Sequence, residues 1–348
     1  MTDPLRVGLI GFGLAGRVFH GPLLAADSRF DIAAIVTGDP DRQADARQRH
    51  PDADVVASPD ELMDGAGDLD LVVIASPPMT HVPLARAGID AGLAVVVDKP
   101  LCATSAEADE LVEYAAAAGR PLTVFQNRRW DSDFLTLRRE ITAGSLGEVR
   151  QLESRFERWK PPGPDAAKPW RSQAPAEAGG VVYDLGSHLV DQAIQLLGPV
   201  DEVHAEIMSY AGTSGPDDGF LSLQHAGGGI SRLWMSSIAG QVGPRFRVLG
   251  SDGAFLSWGL DPQESQLAAG ISPTDPAYGL PVDEQRPMVG AGDAASPVHP
   301  ERGDYPAFYA GVAEALSTGA PLPVDPRDSA EVVRILEEAH GGFVGAGS

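Results

Sequence analysis

Three groups of residues in this chain have types and spacing suited to chemistry. The first is Gly11-Phe12-Gly13-Leu14-Ala15-Gly16, a G-x-G-x-x-G run. Between a strand and a helix, its first glycine permits a tight turn and its second lets backbone approach a pyrophosphate. The third lets helix and strand pack closely. Exposed N–H groups at the helix start then hold phosphate charge. The second group is Val95-Val96-Val97-Asp98-Lys99-Pro100. It sets an ammonium just past the end of an apolar strand, where open α/β sheets bind ligands. Pro100 fixes the backbone there, and a cis bond is open to it. The third is Gly179–His188, in which Asp184 and His188 lie four apart and share a helix face. An imidazole takes and returns an alcohol proton near neutral pH, and a carboxylate one turn away orients the ring or supports its charge. Each group has a plainer reading: a glycine-rich turn, a surface lysine, a capping aspartate beside a packed histidine. Asp191 continues the Asp184 face, but a metal site would need further ligands nearby, and none is expected.

The end of the second strand bears on the nucleotide. It reads Ile35-Val36-Thr37-Gly38, without the carboxylate that binds a ribose 2′-hydroxyl in NAD enzymes. Thr37 can donate to a 2′-phosphate and Arg42 can grip one bidentately. This favours NADP, with NAD left possible through Asp39. Pointed inward, Asp39 serves the NAD role; pointed outward, it opens the next helix.

These groups need elements to position them. Residues 5–125 alternate apolar runs (Leu5–Ile10, Ile32–Val36, Leu71–Ala75, Ala94–Val97, Leu122–Phe125) with helical stretches (Leu14–Ala26, Pro83–Ala91, Ala106–Ala118). Strands that are apolar throughout and separated by helices predict a doubly wound parallel sheet covered on both faces. Beyond residue 125 the texture changes. A helix over Asp133–Ala143 precedes long alternating segments at Glu148–Trp159, Glu202–Tyr210, Phe220–His225, Ile230–Ser236 and Arg245–Leu249. Gly227-Gly228-Gly229 marks a hairpin, and a helix over Asp184–Leu197 interrupts the run. An antiparallel or mixed sheet with one open face follows. Residues 259–303 read as loop or irregular insertion, and Tyr305–Leu316 and Ser329–Ala339 as helices. The expected organisation is a dinucleotide domain over 1–125, a second α/β domain over 126–303, and helices over 304–348 that pack back on the first domain.

The chain has 348 residues, which suggests about two domains. With 26 basic and 49 acidic residues its formal net charge is −23, which disfavours nucleic acid and anionic membrane surfaces as partners. The single cysteine, Cys102, excludes an internal disulfide and fits a reducing compartment; its plain reading is a small buried hydrophobe. Arg6 and the apolar run after it imitate a weak signal peptide, but the glycines and Asp3 argue against one. A cytoplasmic location is expected. His20 reads as packing or interface, or as a neighbour of the pyrophosphate; His81 as a cap or core residue at the ligand edge of the sheet. Trp234 and Trp258 read as sheet packing.

In combination these residues resemble the Gfo/Idh/MocA oxidoreductases along essentially the whole chain. The matching stretches are Val7–Gly13, Ile74-Ala75-Ser76-Pro77-Pro78-Met79-Thr80-His81, Asp98-Lys99-Pro100 and Gly179–His188. Asp98 stands where the family usually has glutamate, which keeps the charge and shortens the reach. Gly13–Leu24, Asn127–Thr136 and Tyr183–His188 are most similar to the NADP-dependent scyllo-inositol dehydrogenases of that family. The resemblance implies an N-terminal Rossmann domain and, over 126–303, a substrate and dimerisation α/β domain with a large, mostly antiparallel sheet whose open face makes a homodimer or homotetramer. It places Lys99, Asp184 and His188 at catalytic positions, and Ser76, Pro77, His81, Asp98, Trp170 and Arg171 about the cofactor. Asn127 and Tyr183 fall beside the substrate. Arg128, Arg129, Arg155 and Arg158 are assigned no chemistry. The implied reaction is hydride transfer between nicotinamide C4 and a secondary alcohol of a cyclic polyol or sugar. His188 is the base and Lys99 the electrophile, or Lys99 is itself the base. A keto-sugar reductase and a non-catalytic NADP-binding regulator are the alternatives.

Overall fold

The computed structural model describes residues 3–161, 175–281 and 286–341. Strands β1 (Leu5–Ile10), β2 (Phe30–Val36), β3 (Asp54–Val56), β4 (Leu71–Ile74), β5 (Ala94–Val97) and β6 (Leu122–Val124) form a parallel sheet in the order β3-β2-β1-β4-β5-β6. Every residue of β4 and β5 is buried, as central parallel strands require. The order reverses between β1 and β4, so the crevice at their C-terminal ends is where such sheets take a nucleotide.

Helix α1 follows β1 as one widened turn, Ala15–His20, continued by Gly21–Ala25. In the widened turn the Gly21 N–H reaches back five residues to the Gly16 carbonyl. Pro22, which has no N–H, stands where the ordinary ladder would resume. Helices α2 (Pro40–Arg49), α3 (Pro59–Asp64), α4 (His81–Asp90) and α5 (Ser105–Ala117) complete the layers. β3 and α3 fall outside the apolar runs and helical stretches that the sequence displays. β3 is a three-residue edge strand with no fully buried position, and α3 is short, announced only by the Ser58–Glu61 capping box.

Helix α6 (Ser132–Thr142) leads to the second sheet. β7 (Val149–Glu157), α7, β8 (Val200–Met208), β9 (Asp218–His225), β10 (Ile230–Ser236), β11 (Phe246–Gly250) and β12 (Ala254–Ser257) follow in chain order. Helix α7 also begins as a widened turn, Val182–Gly186, and continues as Ser187–Leu197. Residues 259–303 are more regular than their composition predicts: α8 (Gln263–Ala268), β13 (Met288–Gly290) and β14 (Ser296–Pro297) lie there. Strands of three and two residues are too short to show a period, so the sequence hides them. The sheet order is β14-β13-β12-β11-β7-β10-β9-β8, with β7 and β10 parallel and the other pairs antiparallel. The protein is thus an α/β fold of a doubly wound parallel sheet and a mixed, mostly antiparallel one.

Two C-terminal helices join the halves. Phe308, Tyr309 and Val312 of α9 (Pro306–Thr318) share a core with Val7, Leu9 and Phe125. Helix α10 (Pro326–His340) buries Val332, Ile335 and Leu336 against the second sheet, and Ala330 and Val333 against the first. Cys102 is buried as expected, its Sγ–H donates to the Thr104 carbonyl, and burial pushes its thiol up to about 12. Among the described residues no helix is long and apolar enough to cross a membrane.

Candidate active site

The glycines of the first turn are fixed by space. Gly11 has φ +98°, and a Cβ on it would fall 2.6 Å from the Ala75 carbonyl oxygen; one on Gly16 would fall 1.9 Å from the Gly11 carbonyl oxygen. Above Gly13 the nearest atom to a Cβ is Arg42 Nη1, at 3.8 Å. The turn is closed below and open above, with a guanidinium at its rim, which suits an anionic pyrophosphate. Phe12 contributes backbone here, since its ring is buried edge-on against His50. Leu14 is exposed and Ala15 half-buried. Thr37 is buried at the tip of β2. Asp39 accepts from the N–H groups of Asp41 (2.9 Å) and Arg42 (3.1 Å), so it takes the outward alternative and caps α2.

Across the crevice, Ser76 Oγ and Thr80 Oγ1 lie 2.6 Å apart, beside Pro77. His81, expected near the cofactor, is only 1% exposed. Its ring nitrogens face the carbonyl oxygens of Pro100 and Ser76, each at 2.9 Å. Burial pushes its pKa down, and the neutral ring donates to one of them. His81 therefore stitches together the loops after β4 and β5, and the ligand face is left to their other residues.

Lys99 and Asp184 meet between the two sheets. The loop after β5, with a cis Lys99–Pro100 bond, carries the ammonium. Lys99 Nζ donates to the Asp184 backbone oxygen at 2.7 Å and to its Oδ1 at 3.2 Å. The widened first turn of α7 presents that carboxylate. Arg158, just past β7, donates to its Oδ2 at 3.1 Å. The lysine and aspartate side chains are 15% and 5% exposed, so the pair is partly dried, which strengthens the attraction. His188 stands one turn on, buried, its ring 6.2 Å from that of Phe156. Its Nδ1 has no hydrogen-bond partner among the described residues. Burial, then the charges of Lys99 and Arg128, hold its pKa well below 6.5, with Asp184 opposing.

Sequence reasoning missed three arginines. Arg158 was given no chemistry, yet it holds the second oxygen of Asp184; the alternation of β7, which puts 158 on the inner face with 154 and 156, could have found it. Arg128 and Arg245 are both buried near enough to act on His188. Arg128 pairs with Asp131 (3.3 Å) and Glu264 (2.8 Å), and Arg245 with Asp133 (3.3 Å). Asp131 is three residues from Arg128, but Glu264 of α8 and, for Arg245, Asp133 of α6 are distant in sequence. Arg129 binds Asp191 through two hydrogen bonds, at 2.9 and 2.6 Å, so Asp191 serves as its anion. Asn127 is buried at the exit of β6. Tyr183, expected beside the substrate, is turned into the core: its hydroxyl donates to the Ala103 carbonyl at 2.7 Å and its ring stacks on His340. Tyr183 thus points inward while its neighbour Asp184 reaches Lys99. Trp170 and Arg171 lie outside the described residues.

Two family profiles match the chain. One, the NAD-binding Rossmann fold of the oxidoreductase family GFO_IDH_MocA, covers residues 5–126; the other, the C-terminal alpha/beta domain of that family, covers residues 138–340. The chain belongs to the Gfo/Idh/MocA oxidoreductase family. It is similar to the scyllo-inositol 2-dehydrogenase (NADP(+)) of Bacillus subtilis, with 34% identity over 97% of this chain and 93% of that one. It is 36% identical to an uncharacterized oxidoreductase of Escherichia coli, YdgJ, over 97% and 96%. Among solved structures it is similar to an oxidoreductase of Bacillus subtilis, yvaA, with TM-score 0.90 and 33% identity over 97% and 96% of the chains. As a Gfo/Idh/MocA oxidoreductase the protein is an NAD(P)-binding enzyme, and the opened turn at Gly13 agrees with that.

The state of His188 can be checked directly. Because its folded pKa lies below 6.5, the ring is neutral at pH 7. Its stabilising contribution is present above 6.5 and is lost as pH falls toward the folded value. In a proton–nitrogen NMR titration of the imidazoles, the His188 resonances should hold their neutral positions through pH 6.5 and move only below it. Titration at or above 6.5 would contradict this site.

Proposed function

We propose that the protein transfers a hydride between NADP and a secondary alcohol of a cyclic polyol of the inositol type, or of a sugar. The observation that carries this is the Lys99–Asp184 pair, which joins the loop after β5 to the first turn of α7. Gly11, Gly13 and Gly16 would hold the pyrophosphate, with Ser76, Pro77 and Asp98 lining the opposite wall. The nicotinamide, when bound, supplies the hydride acceptor or donor at C4. Residues 1–125 form the nucleotide unit in this reading, 126–303 the substrate unit, and 304–348 their shared support.

The chain's own residues handle the proton and the charge. In the oxidising direction neutral His188 takes the hydroxyl proton; an imidazole held uncharged by burial and by neighbouring cations is in the right state to do so. Lys99 donates to the oxygen as it becomes an alkoxide. Asp184 aims that ammonium and accepts from a neighbouring hydroxyl, with Arg158 fixing its second oxygen. Asn127, at the exit of β6, adds a polar group on the substrate side. Lys99→Met should cut kcat by about a thousandfold while NADPH still quenches protein fluorescence with its wild-type affinity. A fully active variant would remove Lys99 from the reaction.

The NADP preference rests on Asp39, which is spent on capping α2, on Thr37 at the tip of β2, and on Arg42, which lies over Gly13. Across a panel of inositols, hexoses and keto-sugars, NADP should serve better than NAD. Arg42→Ala should raise the KM for NADP about tenfold and leave that for NAD within twofold or so. Equal effects on both would assign Arg42 to the pyrophosphate instead.

The open face of the second sheet supports a homodimer, or a tetramer built from it. Phe220 and Trp234 pair there at 5.0 Å, with the Arg155 guanidinium 3.8 Å over the Trp234 ring. Trp234→Glu should shift the sedimenting species toward monomer; an unchanged wild-type monomer would refute the contact. The single buried thiol and the charge of −23 fit a reducing compartment and a freely diffusing substrate.

A further inference from the structure

His20 is wholly buried at the end of the widened first turn of α1. It packs 4.4 Å from the Phe125 ring, in surroundings that an apolar side chain would fill. Its Nδ1 lies 2.6 Å from the Tyr309 hydroxyl. Its Nε2 has no hydrogen-bond partner among the described residues, and Asp98 Oδ1 stands 3.9 Å away. A packing residue would not retain an orphaned nitrogen, whose desolvation is uncompensated.

The tautomer follows from the neighbours. Tyr309 comes from α9, and burial with the nearby Asp98 charge pushes its phenol far up, so it keeps its proton. His20 Nδ1 is the only acceptor that hydroxyl has among the described residues. The Tyr309 O–H therefore donates to Nδ1, and the ring proton sits on Nε2, facing Asp98. Oδ1 of Asp98 also accepts the Lys99 backbone N–H at 2.9 Å. That oxygen thus lies between the buried imidazole and the peptide from which Lys99 springs. The Asp98 side chain is 19% exposed, and its other oxygen has no hydrogen-bond partner among the described residues.

We propose that Tyr309, His20 and Asp98 form a buried relay that aims the free oxygen of Asp98 into the crevice, with His20 as a positioning residue. It rests on the dinucleotide reading above, which already sets Asp98 about the cofactor, and it gives His20 the task of directing the free oxygen. A 3.9 Å separation exceeds a hydrogen bond, and less than an ångström of carboxylate movement closes it. Asp98 thereby compensates for a side chain one methylene shorter than glutamate: the support comes from behind, from His20.

Two isosteric variants separate this from simple packing. The asparagine amide overlays the imidazole Nδ1 and the glutamine amide overlays Nε2. His20→Asn keeps a partner for Tyr309 and leaves nothing toward Asp98; His20→Gln keeps the donor toward Asp98. In the full chain, His20→Asn should weaken NADPH binding about tenfold, measured by fluorescence quenching, and His20→Gln should stay within about threefold of wild type. Equal binding by the two variants, or unchanged binding by His20→Asn, would overturn the relay. In the wild type without nucleotide, the imidazole nitrogen shifts of His20 should show the Nε2–H tautomer, and Tyr309→Phe should disturb it. An Nδ1–H ring would overturn the relay even if the protein bound no dinucleotide, an outcome that by itself would strike only the functional reading.

Discussion

The site depends on one carboxylate shared by two cations. Asp184 receives Lys99 from the first sheet on one oxygen and Arg158 from the second on the other. Buried charges are tolerated only when paired and hydrogen-bonded. Each member therefore constrains where the others can be, and with them the approach of the two sheets. An isolated lysine at the rim of β5 would swing into solvent; here it is drawn across the crevice and also held by the Asp184 backbone oxygen. Beside it, burial first and then the charges of Lys99 and Arg128 disfavour a charged His188, with Asp184 opposing. A ring that would otherwise titrate near neutrality stays uncharged.

The wider charge distribution sharpens this. The chain carries −23 overall, yet Arg128, Arg129 and Arg245 are almost wholly buried about the junction between the sheets. Of their partners, Asp131 and Asp191 are buried with them and Asp133 is nearly so. Arg128 also reaches Glu264 on α8, so the segment over 259–303 is tied to the floor of the site. Removing one partner of such pairs would strand the other, at about 3–5 kcal/mol. This makes the network a determinant of how the second sheet seats on α6 and α7.

Much of this was legible before any coordinates. The apolar runs located five of the six parallel strands because buried strands need no alternation, and β1 and β5 have the bounds their residues predict. The glycine turn, Lys99, Asp184 and His188 were legible because their spacing is local. Legibility ended where partners are remote. Nothing near Arg158 in the chain announces Asp184, and nothing near Tyr309 announces His20. Tyr183 was misplaced for a subtler reason. The resemblance alone sets it beside the substrate, whereas its hydroxyl is taken by the Ala103 carbonyl, 80 residues away in the chain. His81 lies at the ligand edge as its position suggests, but both its nitrogens are directed at backbone.

Both widened turns carry residues of the site, one ending in His20 and the other containing Asp184. Each holds one residue more than an ordinary turn, so the direction of those side chains is stored in chain length as well as in residue type. Deleting a single residue from Val182–Gly186 would restore a regular ladder and swing the carboxylate by about 100°. The helix would be better wound and the lysine left without its counter-ion. Drift by substitution is open to these segments in a way that insertion and deletion are not.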